Sequence, residues 1–173
     1  MAKYIMLTIV LGAVILGAFL YSGSYLPGGD SPGSSVNYEI PYTYPEYLFP
    51  IYDKAVVNEV IEGEEESVTI SFLSKESKEE LKLYYEALLR NAYQISEEDN
   101  SREYSSMGMK SDYIYSISVI SGSREYNNED YNTSTTIGVM PLDEEFKQDM
   151  DQMTEKEKEI MLIWFKALNE MDK

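Results

Sequence analysis

The chain contains no cysteine and no histidine. Without cysteine there is no disulfide, no thiolate metal ligand and no thiol nucleophile. Without histidine the Ser-His-Asp arrangement, the commonest zinc ligand and the side chain that titrates between about pH 5 and 8 are all missing. Basic residues are scarce: 14 Lys and Arg stand against 31 Asp and Glu, a formal charge of −17. A surface so acidic repels nucleic acid and anionic lipid headgroups, which removes both as direct partners. No Gly-rich phosphate loop, G-x-S-x-G elbow or H-E-x-x-H occurs, and spacing marks out no catalytic pair among the carboxylates. These absences point to a protein that is not an enzyme and carries no cofactor. A carboxylate-based envelope hydrolase stays as the enzymatic alternative.

What is present begins with residues 4–21, YIMLTIVLGAVILGAFLY, a run without a charged residue. As a helix it rises roughly 27 Å, close to the hydrocarbon thickness of a bilayer. Residues 1–26 are therefore expected to be a transmembrane anchor, with Leu11 and Leu16 inside the span and Tyr4 and Tyr21 in the interfacial aromatic belts. A cleaved signal peptide is the competing reading, with Ser22-Gly23-Ser24 as the cleavage site and a secreted protein as the outcome. The run exceeds the apolar core of about 7–15 residues usual in such signals, and Phe19, Leu20 and Tyr21 put bulk where they prefer small side chains. No cysteine follows, which excludes a lipid-modified anchor. Lys3 precedes the run and no Lys or Arg follows it until Lys54, so the amino terminus is expected in the cytoplasm and the rest outside a single-pass cell membrane. Ala13 and Gly17 make a small-xxx-small pair able to bring two such helices together, but oligomeric state stays open.

Residues 27–52 form a linker and an arm. The stretch 22–37 (SGSYLPGGDSPGSSVN) has the Gly, Ser and Pro content of a flexible spacer. In 37–52 (NYEIPYTYPEYLFPIY), Pro41, Pro45 and Pro50 punctuate aromatic residues and predict an extended, partly polyproline conformation. This arm is expected to lay Tyr42, Tyr47, Leu48 and Phe49 across the folded domain. An exposed aromatic recognition arm is the alternative.

The domain proper is read over 53–141. Residues 55–61 (AVVNEVI) make a first strand, followed by a polar turn in which Gly63 is free to take positive φ. Residues 67–73 (SVTISFL) alternate, with Val68, Ile70 and Phe72 toward a buried face and Thr69 and Ser71 toward a wet one. Ser77 and Glu80 form a capping box that opens a helix to about residue 93. Its Leu81, Tyr84, Tyr85, Leu88, Leu89 and Ala92 share a face expected to cover Val68, Ile70 and Phe72, while Lys78, Lys82, Glu86 and Arg90 lie mostly opposite. A polar connection leads to a second hairpin, 104–109 and 113–120, turning at Lys110-Ser111-Asp112. Residues 122–133 read as a long polar loop and 134–140 as a last strand. The order β-β-α-β-β-β is an α+β fold, an antiparallel sheet with a helix on one face.

Residues 142–173 are read as a C-terminal helical segment: a short helix over 142–153, then a second capping box, Thr154 with Glu157, before an amphipathic helix. Ile160, Ile163, Trp164, Ala167, Leu168 and Met171 fit one face, and Met161, Leu162 and Phe165 widen it beyond a single contact. Docking on the domain or on a partner suits it better than a membrane surface, because its polar face carries as many Glu as Lys.

Within the acidic loop, residues 125–132 (EYNNEDYN) space oxygen ligands closely. Asn128, Glu129 and Asp130 are the candidate calcium ligands, although no EF-hand spacing surrounds them. Asn132-Thr133-Ser134 fits a glycosylation sequon. The pattern IxFLSKxSxEELxxYYExLL over residues 70–89 resembles the small extracytoplasmic domains of membrane-anchored proteins and lipoproteins of Gram-positive bacteria. The resemblance covers about residues 51–141 and implies a bacterial envelope location and an α+β domain. It carries no functional residues. The expected function is a non-catalytic, membrane-anchored extracytoplasmic module that binds a protein or a cell-envelope component; a cation- or ligand-sensing ectodomain is the alternative.

Overall fold

A computed structural model describes residues 38–154, 156–158, 160 and 163. The expected anchor with Tyr4, Leu11, Leu16 and Tyr21, the spacer up to residue 37 and most of the apolar C-terminal face lie outside the described residues. Among the described residues no helix is long and apolar enough to cross a membrane.

The domain contains β1 (Val56–Glu62), β2 (Val68–Ser74), α1 (Lys78–Leu89), β3 (Tyr93–Asp99), β4 (Glu103–Lys110), β5 (Tyr113–Tyr126), β6 (Glu129–Pro141) and α2 (Glu144–Gln152). The strands form one antiparallel sheet in the order β1-β2-β6-β5-β4-β3. The α+β class is as expected, but the sheet has six strands rather than five. Residues 93–99, read as the end of the helix and a polar connection, are the edge strand β3, and the last strand slots between β2 and β5.

Alternation in β2 places Val68, Ile70 and Phe72 in the core, as expected. Register sets Ile70 beside Ile137 and Ile137 beside Ile117, so one apolar row crosses three strands. Onto this face α1 presses Leu81, Tyr85 and Leu89. The helix starts as its capping box dictates: Glu80 N donates to Ser77 Oγ at 3.3 Å, and Ser77 N to Glu80 Oε2 at 3.0 Å. It ends at Leu89, earlier than expected, where Ala92 N turns back to the Leu89 carbonyl at 2.8 Å and the chain enters β3. Its backbone approaches β4 and β5 most closely, so α1 shares the covering of Val68, Ile70 and Phe72 with Tyr44 and Phe49 of the arm.

The reverse face is not uniformly wet, as the alternation had predicted. Ser71, Leu73, Met107, Met109 and Ile114 are buried there, and between them Thr69, Ser116 and Thr136 form a low surface beside Gly138. A Cβ on Gly138 would meet Ser116 Oγ at 2.8 Å.

Three turns differ from expectation. Between β1 and β2 the positive φ belongs to Glu65 and Glu66, not to Gly63. The turn after β4 is a two-residue loop with Ser111 at φ 54. The expected loop 122–133 is instead the far end of the β5–β6 hairpin, closed by Asn127 and Asn128, both at positive φ as a type I′ turn requires. Beyond Pro141, Asp143 caps α2 by accepting from Phe146 N at 2.6 Å, and Leu142 and Phe146 are buried. Described by itself, the segment from Met153 shows the second capping box: Thr154 N donates to Glu157 Oε2 at 2.8 Å and Glu157 N to Thr154 Oγ1 at 3.3 Å. Ile160 and Ile163 are exposed.

Candidate functional site

The arm is a chain of tight turns rather than an extended polyproline segment. Tyr44 N donates to the Pro41 carbonyl at 3.0 Å, and Leu48 N and Phe49 N donate to the Pro45 carbonyl at 2.9 and 3.1 Å. Proline fixes φ near −65°, a value that both polyproline and turns accept, and these local bonds select the turn. The turns divide the aromatic residues by direction. Tyr44 and Phe49 go into the core, Leu48 is half-buried, and Tyr42 and Tyr47 point out, 99% and 81% exposed. Phe49 sits 5.6 Å from the Tyr115 ring and 6.5 Å, edge-on, from Tyr113. The expected packing thus holds for Phe49 and partly for Leu48, but not for Tyr42 and Tyr47.

Three consecutive carbonyls of the arm are held by side chains from three places. Lys110 Nζ, at the end of β4, donates to Leu48 O at 3.2 Å. Tyr44 OH donates to Phe49 O at 2.5 Å, and Tyr85 OH, on α1, to Pro50 O at 3.3 Å. Lys110 also donates to Leu88 O at 2.6 Å and lies 5.7 Å above the Phe49 ring. Burial holds the Lys110 ammonium below its ordinary pKa and pushes the Tyr44 and Tyr85 phenols far above theirs, with the charges of Glu46 and the neighbouring tyrosines adding less. Tyr52 closes the arm edge-on against Tyr84 at 5.2 Å. Tyr42 and Tyr47 are therefore carried on a backbone fixed from α1, β4 and the arm itself.

A concavity of about 200 Å³ opens between the last turns of α1 and strands β3 and β4. Glu86, Arg90, Gln94, Glu97 and Tyr104 line it. Gln94 Nε2 donates to Glu97 Oε2 at 2.8 Å and to Ser106 Oγ at 3.4 Å, and Ser106 shares a hydrogen bond of 3.4 Å with Tyr115 OH. Glu86 is half-buried and Glu97 exposed. Beside this cleft Asp99 joins β3 to α1, accepting from Lys78 and Lys82 at 2.6 Å each. Lys78 was expected on the polar face of the helix, yet only 4% of its side chain is exposed. Its ammonium reaches Asn100 O at 2.5 Å, a partner that sequence cannot show.

The structure does not bring Asn128, Glu129 and Asp130 together as a ligand set. Asn128 is in the hairpin turn. Glu129 pairs with Tyr126 across the ladder and forms an ion pair of 2.7 Å with Lys75. Asp130, the next residue of β6, points to the other face. Among the described residues no group of three or more metal-ligating side chains occurs. The sequon residue Asn132 donates its side-chain amide to Lys75 O at 2.5 Å.

No family model, curated protein or solved structure matches the chain.

Proposed function

We propose that this chain is a non-catalytic interaction module of a bacterial cell envelope, held to the membrane by residues 4–21 with its acidic domain outside, and that it grips a protein or envelope component through Tyr42 and Tyr47. The observation that carries this reading is the contrast within the arm. Two tyrosines stand almost fully in solvent on a backbone whose carbonyls at 48, 49 and 50 are clamped. Tyrosine offers a large amphipathic contact with few rotors to freeze. A fixed backbone removes the ordering cost that a floppy arm would pay on binding. The membrane placement rests on the uncharged run and on Lys3 before it.

The test is site-specific photo-crosslinking of the full chain in intact cells, with the photoreactive residue at 42 or 47 and, as control, at the exposed Ala87 of α1. The expected result is a discrete adduct from 42 and 47 that is absent from 87. The same adducts from all three positions, or none from any, would remove the arm as a recognition surface. Protease added to wall-stripped cells reports the orientation: digestion of a membrane-bound, full-length chain supports it, and protection reverses it.

A further inference from the structure

We infer that the outer edge of β1 is a strand-addition site for an extended, basic polypeptide segment. This deepens the reading of the chain as a binding module and rests on it, at a surface other than the arm.

Among the described residues β1 ends the sheet, with β2 as its one neighbour. The phase of its hydrogen bonds follows from the turn, where Gly63 N donates to Ser67 O at 2.8 Å. Antiparallel pairs alternate, so Ile61 with Thr69 and Glu59 with Ser71 are the bonded pairs. Val60 and Glu62 therefore aim their N–H and C=O groups away from the sheet, and among the described residues nothing takes them. The bulge between Val57 and Glu59 bends the strand before this point, which leaves the stretch from Glu59 to Glu62 as the regular, pairable edge.

The side chains along that edge say what would fit. Val60 lies half-buried on the α1 face against the core, and Ile61 lies half-buried on the reverse face. Both are apolar surfaces that an added strand of β-branched residues would finish covering. Their surroundings are acidic throughout. Glu59, Glu62, Glu64, Glu65 and Glu66 are exposed, and no Lys or Arg occurs between Ala55 and Ser74. That charge disfavours a second copy of β1 as the occupant, because in-phase antiparallel self-pairing, with Val60 of one copy against Glu62 of the other, brings the five glutamates of each copy together with no Lys or Arg among them. A strand alternating β-branched residues with Lys or Arg finishes the covering of Val60 on the α1 face and sets its cations on the reverse face beside Glu59. Its main chain takes the free groups of Val60 and Glu62. At the opposite edge Asp99 is already held by Lys78 and Lys82, and a bulge interrupts β3 between Gln94 and Ser96.

The test uses the full chain in nonionic detergent and a fluorescent synthetic peptide that alternates Lys with Val and Thr. The expected result is saturable binding that slows amide exchange at β1 and leaves β3 unchanged. A version of the peptide N-methylated at alternate residues keeps its charge but should bind about tenfold more weakly. Glu62→Pro removes an outward N–H without touching the β1–β2 ladder and should weaken binding about five- to tenfold relative to Glu62→Gln, with both variants checked for an unchanged circular dichroism spectrum. Equal binding of the two peptides would reduce the effect to charge adsorption and overturn the proposal. So would exchange protection at β3 alone, or no binding. Cross-linking from positions 42 and 47 in cells scores the arm independently, so failure of the edge and failure of the arm can be told apart.

Discussion

Lys110 supplies what the last turn of α1 lacks. No basic residue occupies that turn, and the Leu88 carbonyl is met instead by an ammonium from the end of β4 that also holds Leu48 O. Two effects oppose each other when it is removed: both carbonyls lose a charged donor, but a partly buried cation is no longer desolvated. Lys110→Met is therefore expected to cost about 1 kcal/mol in urea unfolding, less than two charge-assisted bonds in isolation, and to speed proteolysis around residue 48. A variant cut no faster than the parent would show that the arm does not depend on it. Titration behaves differently at the other charges. Asp99, Glu80 and Glu129 are held below the ordinary carboxylate range by the hydrogen bonds they accept, so their stabilisation is complete above about pH 4 and fades as pH falls through their folded values. Lys78 and Lys82, raised first by their bonds to Asp99, contribute fully below about pH 10.5 and lose that contribution as pH rises through their folded values. Lys110, being lowered, has the opposite sign and gains stability as pH rises toward about 10.5. Burial raises the phenols of Tyr44, Tyr85, Tyr104 and Tyr115, so ionisation favours the unfolded chain from about pH 10 upward. With no histidine in the chain, the melting temperature should hold level between about pH 6 and 9 and fall on both sides. Asp99→Asn should flatten the acid limb, and an inflection near pH 6.5 would contradict this assignment.

The elements differ in how far their residues announced them. β2 and α1 were legible because Val68, Ile70 and Phe72 alternate without interruption and Ser77 with Glu80 marks a helix start by a mechanism. β3 was not, because an edge strand buries little: of YQISEED only Ile95 is buried, and Glu and Asp are poor strand formers. The far half of the β5–β6 hairpin hid for the same reason, since Arg124, Glu125 and Tyr126 pair with Tyr131, Asp130 and Glu129 beyond a bulge, and of these six residues only Tyr131 is buried. Its one signal was Asn127-Asn128, residues that tolerate positive φ. In the candidate site, aromatic content made the arm visible, but the direction of each ring could not be read, because irregular turns have no periodicity. That split can be tested. Phe49→Ala empties a buried position and should cost about 3–4 kcal/mol in urea unfolding. Tyr42→Ser and Tyr47→Ser should stay within about 0.5 kcal/mol of the parent. A loss of 2 kcal/mol or more from either tyrosine, about what burying a side chain is worth, would mean that it packs against the domain.

For the whole molecule the charge of −17 opposes compactness. Raising salt from about 10 to 150 mM, which shortens the screening length from about 30 to 8 Å, should raise the melting temperature by a few degrees. A fall would show that pairs such as Lys75–Glu129 and Lys82–Asp99 outweigh the general repulsion. Absence of histidine and cysteine narrowed the chemistry from the sequence alone, whereas the open edge of β1 depends on which strand ends the sheet, a property of topology that no local pattern carries. The position of β6 also sets an order in time. β1 and β2 lie on one side of it and β5, β4 and β3 on the other, so residues 129–141 must emerge before the two groups of strands can join. A ribosome therefore handles a chain whose core cannot yet close, and a stall before residue 129 leaves β2 and β5 as two raw edges open to the wrong neighbour.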